Sequence, residues 1–133
     1  MTERQIGGAT PLFIVRNVPA TLRFYHDKLG FEVTFEGPEP NDIFFGIVQR
    51  DRAMLMFKDI GVEPVPNHTR DTGKGDARWD AYIYTPNPDA LAAEFASRGV
   101  EFVKPLKETH DHLRGFEVKD PDGYILFFGR PSI

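Results

Sequence analysis

GFEVKDPDGYILFFGR, residues 115–130, decides the fold. DPDG at 120–123 is a turn, with Pro in second place to fix φ and Gly last to allow positive φ. Residues 115–119 and 124–129 are therefore the two strands of a hairpin. The second strand carries Ile125 and Phe127 on one face and Leu126 and Phe128 on the other. A strand apolar on both faces must be covered on both.

Working backwards, residues 101–103 form a short strand. Leu91, Phe95 and the neighbouring alanines form a helix that starts at Asn87-Pro88 and stops at Gly99. Residues 80–85 form a strand before it. The first part of the chain has the same order. PLFIVR at 11–16 is a strand. Val18, Leu22, Tyr25 and Leu29 then step by 4, 3 and 4 along one helical face, between an Asn17 cap and a Gly30 stop. Residues 31–36 alternate as a half-buried strand. EGPEPND at 36–42 is a turn, and residues 43–49 and 53–57 are strands joined by Arg50-Asp51-Arg52.

Both halves read βαβββ. Pro19, Leu22, Gly30 and Glu32 find Pro88, Leu91, Gly99 and Glu101 at 69 positions, and Ile47 and Met56 find Val118 and Phe127 at 71. That period is too long for a solenoid and points to a duplicated module. The expected architecture is an α+β fold of two paired βαβββ modules, curved into sheets around a cleft. It fills one domain of 133 residues: module 1 at about 10–58, module 2 at about 79–130. Between them residues 59–78, rich in Pro, Gly, Thr and charge, form a linker that covers a site or moves. The helices can cover one face of each sheet, so the other face lines an apolar cavity or an interface. Met54, Met56 and Lys58 fall on that side of the first module, and Asp80, Tyr82 and Tyr84 on that of the second.

Composition narrows the function. Sixteen basic residues stand against twenty acidic ones, a net charge of −4, where a nucleic-acid binder would show a basic excess. The balance favours a neutral or cationic small molecule. With no cysteine, disulfides, thiolate zinc sites and a cysteine nucleophile are excluded. No apolar run approaches the ~18 residues that span a bilayer, so neither membrane nor nucleic acid is an expected partner, and the expected location is cytoplasmic. Twelve phenylalanines imply much aromatic surface that is buried or used.

Three segments carry a family resemblance: VPATLRFYHDKLGFEV, PDALAAEFASRGVEF and GFEVKDPDGYILFFGR. From about Thr10 to Arg130 the chain resembles the vicinal oxygen chelate (glyoxalase/bleomycin resistance/dioxygenase) superfamily, and the last segment is most like its metal-free bleomycin-resistance branch. The resemblance implies a homodimer whose clefts are completed across subunits. In metal-dependent members four side chains hold the ion. The corresponding places here are Thr10, Met56, Asp80 and Phe127. A thioether and a phenyl ring cannot hold a hard divalent ion, so no cofactor and no metal are expected. His110 and His112 flank Asp111 in a loop without an identifiable third ligand, and His26 and His68 are expected at the surface. Serines 97 and 132 offer no triad, and Gly73-Lys74-Gly75 lacks the context of a phosphate loop.

The expected ligand-binding residues are Met54, Met56, Tyr82 and Phe127 as an apolar floor, Trp79 and Asp80 at its edge, and Arg114 near the mouth. Trp79 can equally pack a dimer, Asp80 can be a surface residue at a strand end, and Arg114 an exposed loop residue. The functional expectation is a binding protein that sequesters an aromatic or cationic molecule, an antibiotic of the bleomycin type among them. The rival expectations are a lyase or dioxygenase-type enzyme with an unusual metal site, and an interaction module whose cleft is filled by its own side chains.

Overall fold

The computed structural model describes residues 3–70 and 79–132. Residues 71–78 of the expected linker lie outside the described residues. The order is β1 (Leu12–Ile14), α1 (Val18–Asp27), β2 (Glu32–Glu39), β3 (Asp42–Arg50) and β4 (Ala53–Lys58), then β5 (Ala81–Tyr84), α2 (Pro88–Ser97), β6 (Phe102–Glu108), β7 (Leu113–Lys119) and β8 (Ile125–Pro131). The strands form two four-stranded sheets, ordered β1-β4-β3-β2 and β5-β8-β7-β6. In each, the first strand pairs parallel with the last and the other pairs are antiparallel. This is the α+β fold of two paired βαβββ modules.

The helices start as the sequence dictates. The Asn17 and Asn87 side chains accept from the N–H groups of Ala20 and Ala90, each at 3.0 Å, and Pro stands in both first turns. The caps are 70 positions apart, not 69. Strand register agrees: Phe13 pairs with Phe57 and Ile83 with Phe128. The spacing of 69 therefore holds at the glycine stops but not inside the helices, where Leu22 corresponds to Ala92.

Two strands outrun their expected ends. β2 continues through Pro38 and β6 through Pro105. Both are edge strands, where a residue without N–H leaves no ladder partner unsatisfied.

Both helices face one shared core, in which Phe13, Val15, Leu22, Tyr25, Leu55 and Phe57 meet Phe95, Phe116, Tyr124, Leu126 and Phe128. Polar contacts also cross between the halves. Lys28 Nζ donates to the Arg98 carbonyl and Arg98 Nη1 to the Asp27 carbonyl, so the two helix C-termini meet. The Tyr25 hydroxyl donates to Asp120 at 2.8 Å, and Arg50 forms a two-pronged pair with Glu94 at 2.8 and 2.9 Å. Among the described residues no helix is long and apolar enough to cross a membrane.

Candidate functional site

Alternation along the strands sends Leu55, Phe57, Leu126 and Phe128 to the helix side and leaves Met54, Met56, Lys58, Tyr82, Tyr84 and Phe127 on the other. The uncovered face of the second sheet carries an aromatic cluster. The Trp79 ring lies parallel to Phe127, centroids 4.5 Å apart and planes within 8°, and Tyr82 stands 5.6 Å from Phe127. Tyr82 and Tyr84 are 41% and 61% exposed.

Phe127 is not an open floor. It is 1% exposed, roofed by Trp79 and laid against the paired glycines Gly115 and Gly129. A Cβ at Gly115 would stand 2.6 Å from the Phe127 ring and against the Phe128 carbonyl oxygen. The accessible aromatic surface is thus the outer face of Trp79 with the two tyrosines.

Asp80 is a partly buried carboxylate fastened to the backbone. One of its oxygens accepts the Asn67 N–H at 2.9 Å, and the other the Ile125 N–H at 2.8 Å. It ties the segment before Trp79 to β8. The carboxylate that does face the cluster is Glu117, which accepts from Trp79 Nε1 at 3.0 Å and has Lys104 Nζ at 3.9 Å. Alternation in GFEVK places Glu117 opposite Phe116 and Val118, which is the signal that would have found it.

Arg114 is likewise engaged. Its guanidinium donates twice to Asp89, both at 2.8 Å, fastening β7 to the first turn of α2. These hydrogen bonds hold the Asp89 carboxyl below its ordinary range.

Met54 and Tyr82 share one further feature, which Tyr82 joins to the cluster. They line a groove of about 830 Å³ between the halves, with Ala53, Ile83, Tyr84, Ala90 and Phe95 among its walls. Met56, Trp79, Asp80, Arg114 and Phe127 are not part of it.

The family's metal does not fit these residues. By register Met56 and Phe127 are equivalent positions, opposite Leu12 and Tyr82, and neither side chain is a donor for a hard ion. Asp80 accepts one N–H on each oxygen, and even with the Thr10 hydroxyl it would supply too few donors to hold the ion. Among the described residues no three histidine, aspartate or glutamate side chains cluster as a metal set.

The model of the glyoxalase/bleomycin resistance protein/dioxygenase superfamily matches residues 9–128. The chain belongs to this superfamily. No curated protein matches it, but solved structures do. The bleomycin-binding protein from bleomycin-producing Streptomyces verticillus, complexed with copper(II)-bleomycin, is 29% identical. That match covers 95% of this chain and 97% of that one, at a TM-score of 0.69. TioX from Micromonospora sp. ML1 is 17% identical over 94% and 99% of the two chains, at 0.72. A glyoxalase-related enzyme from Clostridium phytofermentans is 14% identical over 97% and 99%, at 0.73. The last two likenesses establish the fold alone.

Proposed function

We propose that this superfamily member is a metal-free binding protein that holds an aromatic, cationic small molecule against the uncovered faces of its sheets, without a chemical step. One observation carries the reading: Tyr82 and Tyr84 stand exposed beside the Trp79–Phe127 stack, on sheet surface that no helix covers. Contiguous apolar surface of this kind marks a ligand or partner site. The copper(II)-bleomycin complex of the Streptomyces relative supports a ligand of that type. The net charge of −4 adds long-range attraction for cations, and a cation over an aromatic ring gains about 0.5–2 kcal/mol. Protection of a cell would follow from mass action, one ligand per cleft.

Trp79 is the single tryptophan, so its emission reports the site. Titration with bleomycin, metal-free and copper-loaded, is expected to quench Trp79 saturably, and more weakly as salt is raised. A flat titration in both forms, at ligand excess, would remove the reading.

A second copy of the chain is the natural cover for the remaining open sheet surface, because closed homodimers are the commonest assemblies. A native mass spectrum is expected to show twice the chain mass with no added metal. One bound nickel, zinc, iron or manganese per chain would favour the enzyme instead, and a monomer at micromolar concentration would count against the shared cleft.

A further inference from the structure

The groove between the halves has a counterpart related by the internal duplication, and the counterpart is full. At the far end of the molecule the Tyr124 ring stacks on Phe13, with centroids 4.4 Å apart and planes within 10°. Its hydroxyl donates to the Ile14 carbonyl at 2.6 Å. The equivalences follow from backbone pairing. Phe13 and Ile14 lie opposite Phe57 and Lys58, while Ile83 and Tyr84 lie opposite Phe128 and Gly129. The Asp120 N–H donates to the Tyr124 carbonyl across one hairpin, and Arg50 pairs with Ala53 across the other. Ala53 therefore stands where Tyr124 does. The space a phenol fills at one end is left open at the other, and Ala53, Ile83 and Tyr84 all line the opening.

We propose that this groove is a second small-molecule site, which borders the aromatic cluster around Trp79 and shares Tyr82 and Tyr84 with it, and that it takes a neutral aromatic ring bearing a hydroxyl donor. The ring occupies the place of the missing Tyr124 equivalent, between Ala53 and Ile83. The hydroxyl meets the Tyr84 carbonyl, which holds the register position of the Ile14 carbonyl. Neutrality follows from the charged wall: Arg50 already spends its guanidinium on Glu94 and on the Leu29 carbonyl at 2.9 Å, leaving no buried charge seeking a partner. At about 830 Å³ the groove lies within the roughly 300–1,000 Å³ of drug-sized pockets. A molecule larger than one ring fits, with its remainder running towards Asp51 and Arg52 at the β3–β4 turn.

The test uses 2-naphthol and the amide spectrum of the full chain. Expected are shifts centred on Ala53, Ile83 and Tyr84, with Trp79 and Phe127 unmoved. Ala53→Tyr supplies the missing side chain from within. It is expected to weaken 2-naphthol about tenfold or more and to raise the melting temperature. Ala90→Phe narrows the groove from the exposed side of α2 and is expected to weaken 2-naphthol similarly, should Ala53→Tyr fail to fold. Shifts centred on Trp79, no binding at millimolar ligand, or unchanged affinity in a folded variant would each overturn the proposal. Neither substitution touches Trp79 or Phe127. A null bleomycin titration would therefore leave this site standing, and its own failure would leave the other reading intact.

Discussion

Phe127→Ala is expected to destabilise the protein by about 3–5 kcal/mol, the usual range for deleting a buried aromatic ring. The side chain is 1% exposed and is held between the Trp79 ring and the glycine pair of β7 and β8. Its removal leaves Trp79 without a stacking partner, Gly115 and Gly129 without a cover, and a cavity the rigid hairpin cannot close. Met56→Ala is the matched control. Met56 occupies the equivalent position of the first sheet but is only half-buried, so the loss there should be about 1 kcal/mol. Urea unfolding followed by Trp79 emission reads both variants, and the native Phe127→Ala spectrum should also shift to the red as Trp79 meets water. Equal losses at the two positions would mean that Trp79 does not roof Phe127 in solution.

That asymmetry between Met56 and Phe127 marks the boundary of what the sequence discloses. The hairpin turn at 120–123, the two-faced strand after it and the βαβββ order were readable because each depends on neighbours a few positions apart. Alternation also sorted Met54, Met56, Tyr82 and Phe127 onto the uncovered side. It could not say what lies above them. Trp79 reaches Phe127 across 48 positions of chain. Asp80 is tied to the backbone because the parallel pairing of β5 with β8 brings the Ile125 N–H to it, while Asn67 donates from the preceding segment. Neither contact has a local signature. Glu117 was readable, since it alternates with Phe116 and Val118, but a carboxylate in an otherwise apolar strand draws the eye only once its partner Trp79 is known. The groove at Ala53 was hidden for a different reason. Seeing it requires the Tyr124 equivalence, and the two hairpins differ by one residue in their turns, which blurs the repeat where it matters.

Stability should fall as the pH rises from about 4 to about 6, because of Asp120. Its carboxyl is 4% exposed as a residue. Burial lifts it to about 6, against the opposing pull of hydrogen bonds from the Tyr25 hydroxyl and the N–H groups of Tyr124 and Asp122. Burial, and then Asp120 itself, push the Tyr25 phenol up, so Tyr25 remains a donor throughout this range. The unfolded chain releases the Asp120 proton near 3.8, whereas the folded chain keeps it until about 6. Between those values the folded state binds more protons, so stability is fully present below the lower value and declines to a plateau above the upper one. A difference of about 2 pKa units corresponds to about 3 kcal/mol. Glu94 acts in the opposite sense: held low chiefly by its hydrogen bond to Arg50, it withdraws stability as the pH falls towards and below its unfolded value. In Asp120→Asn the amide oxygen still accepts both N–H groups but has no proton to release, so the decline between pH 4 and 6 should vanish. Tyr25→Phe removes a hydrogen bond that favours the charged carboxylate and should carry the decline to higher pH. Urea midpoints at half-unit steps from pH 4 to 7 would show it. Wild type and Asp120→Asn running parallel across that window would mean that Asp120 titrates normally and that the Tyr25 contact is solvated.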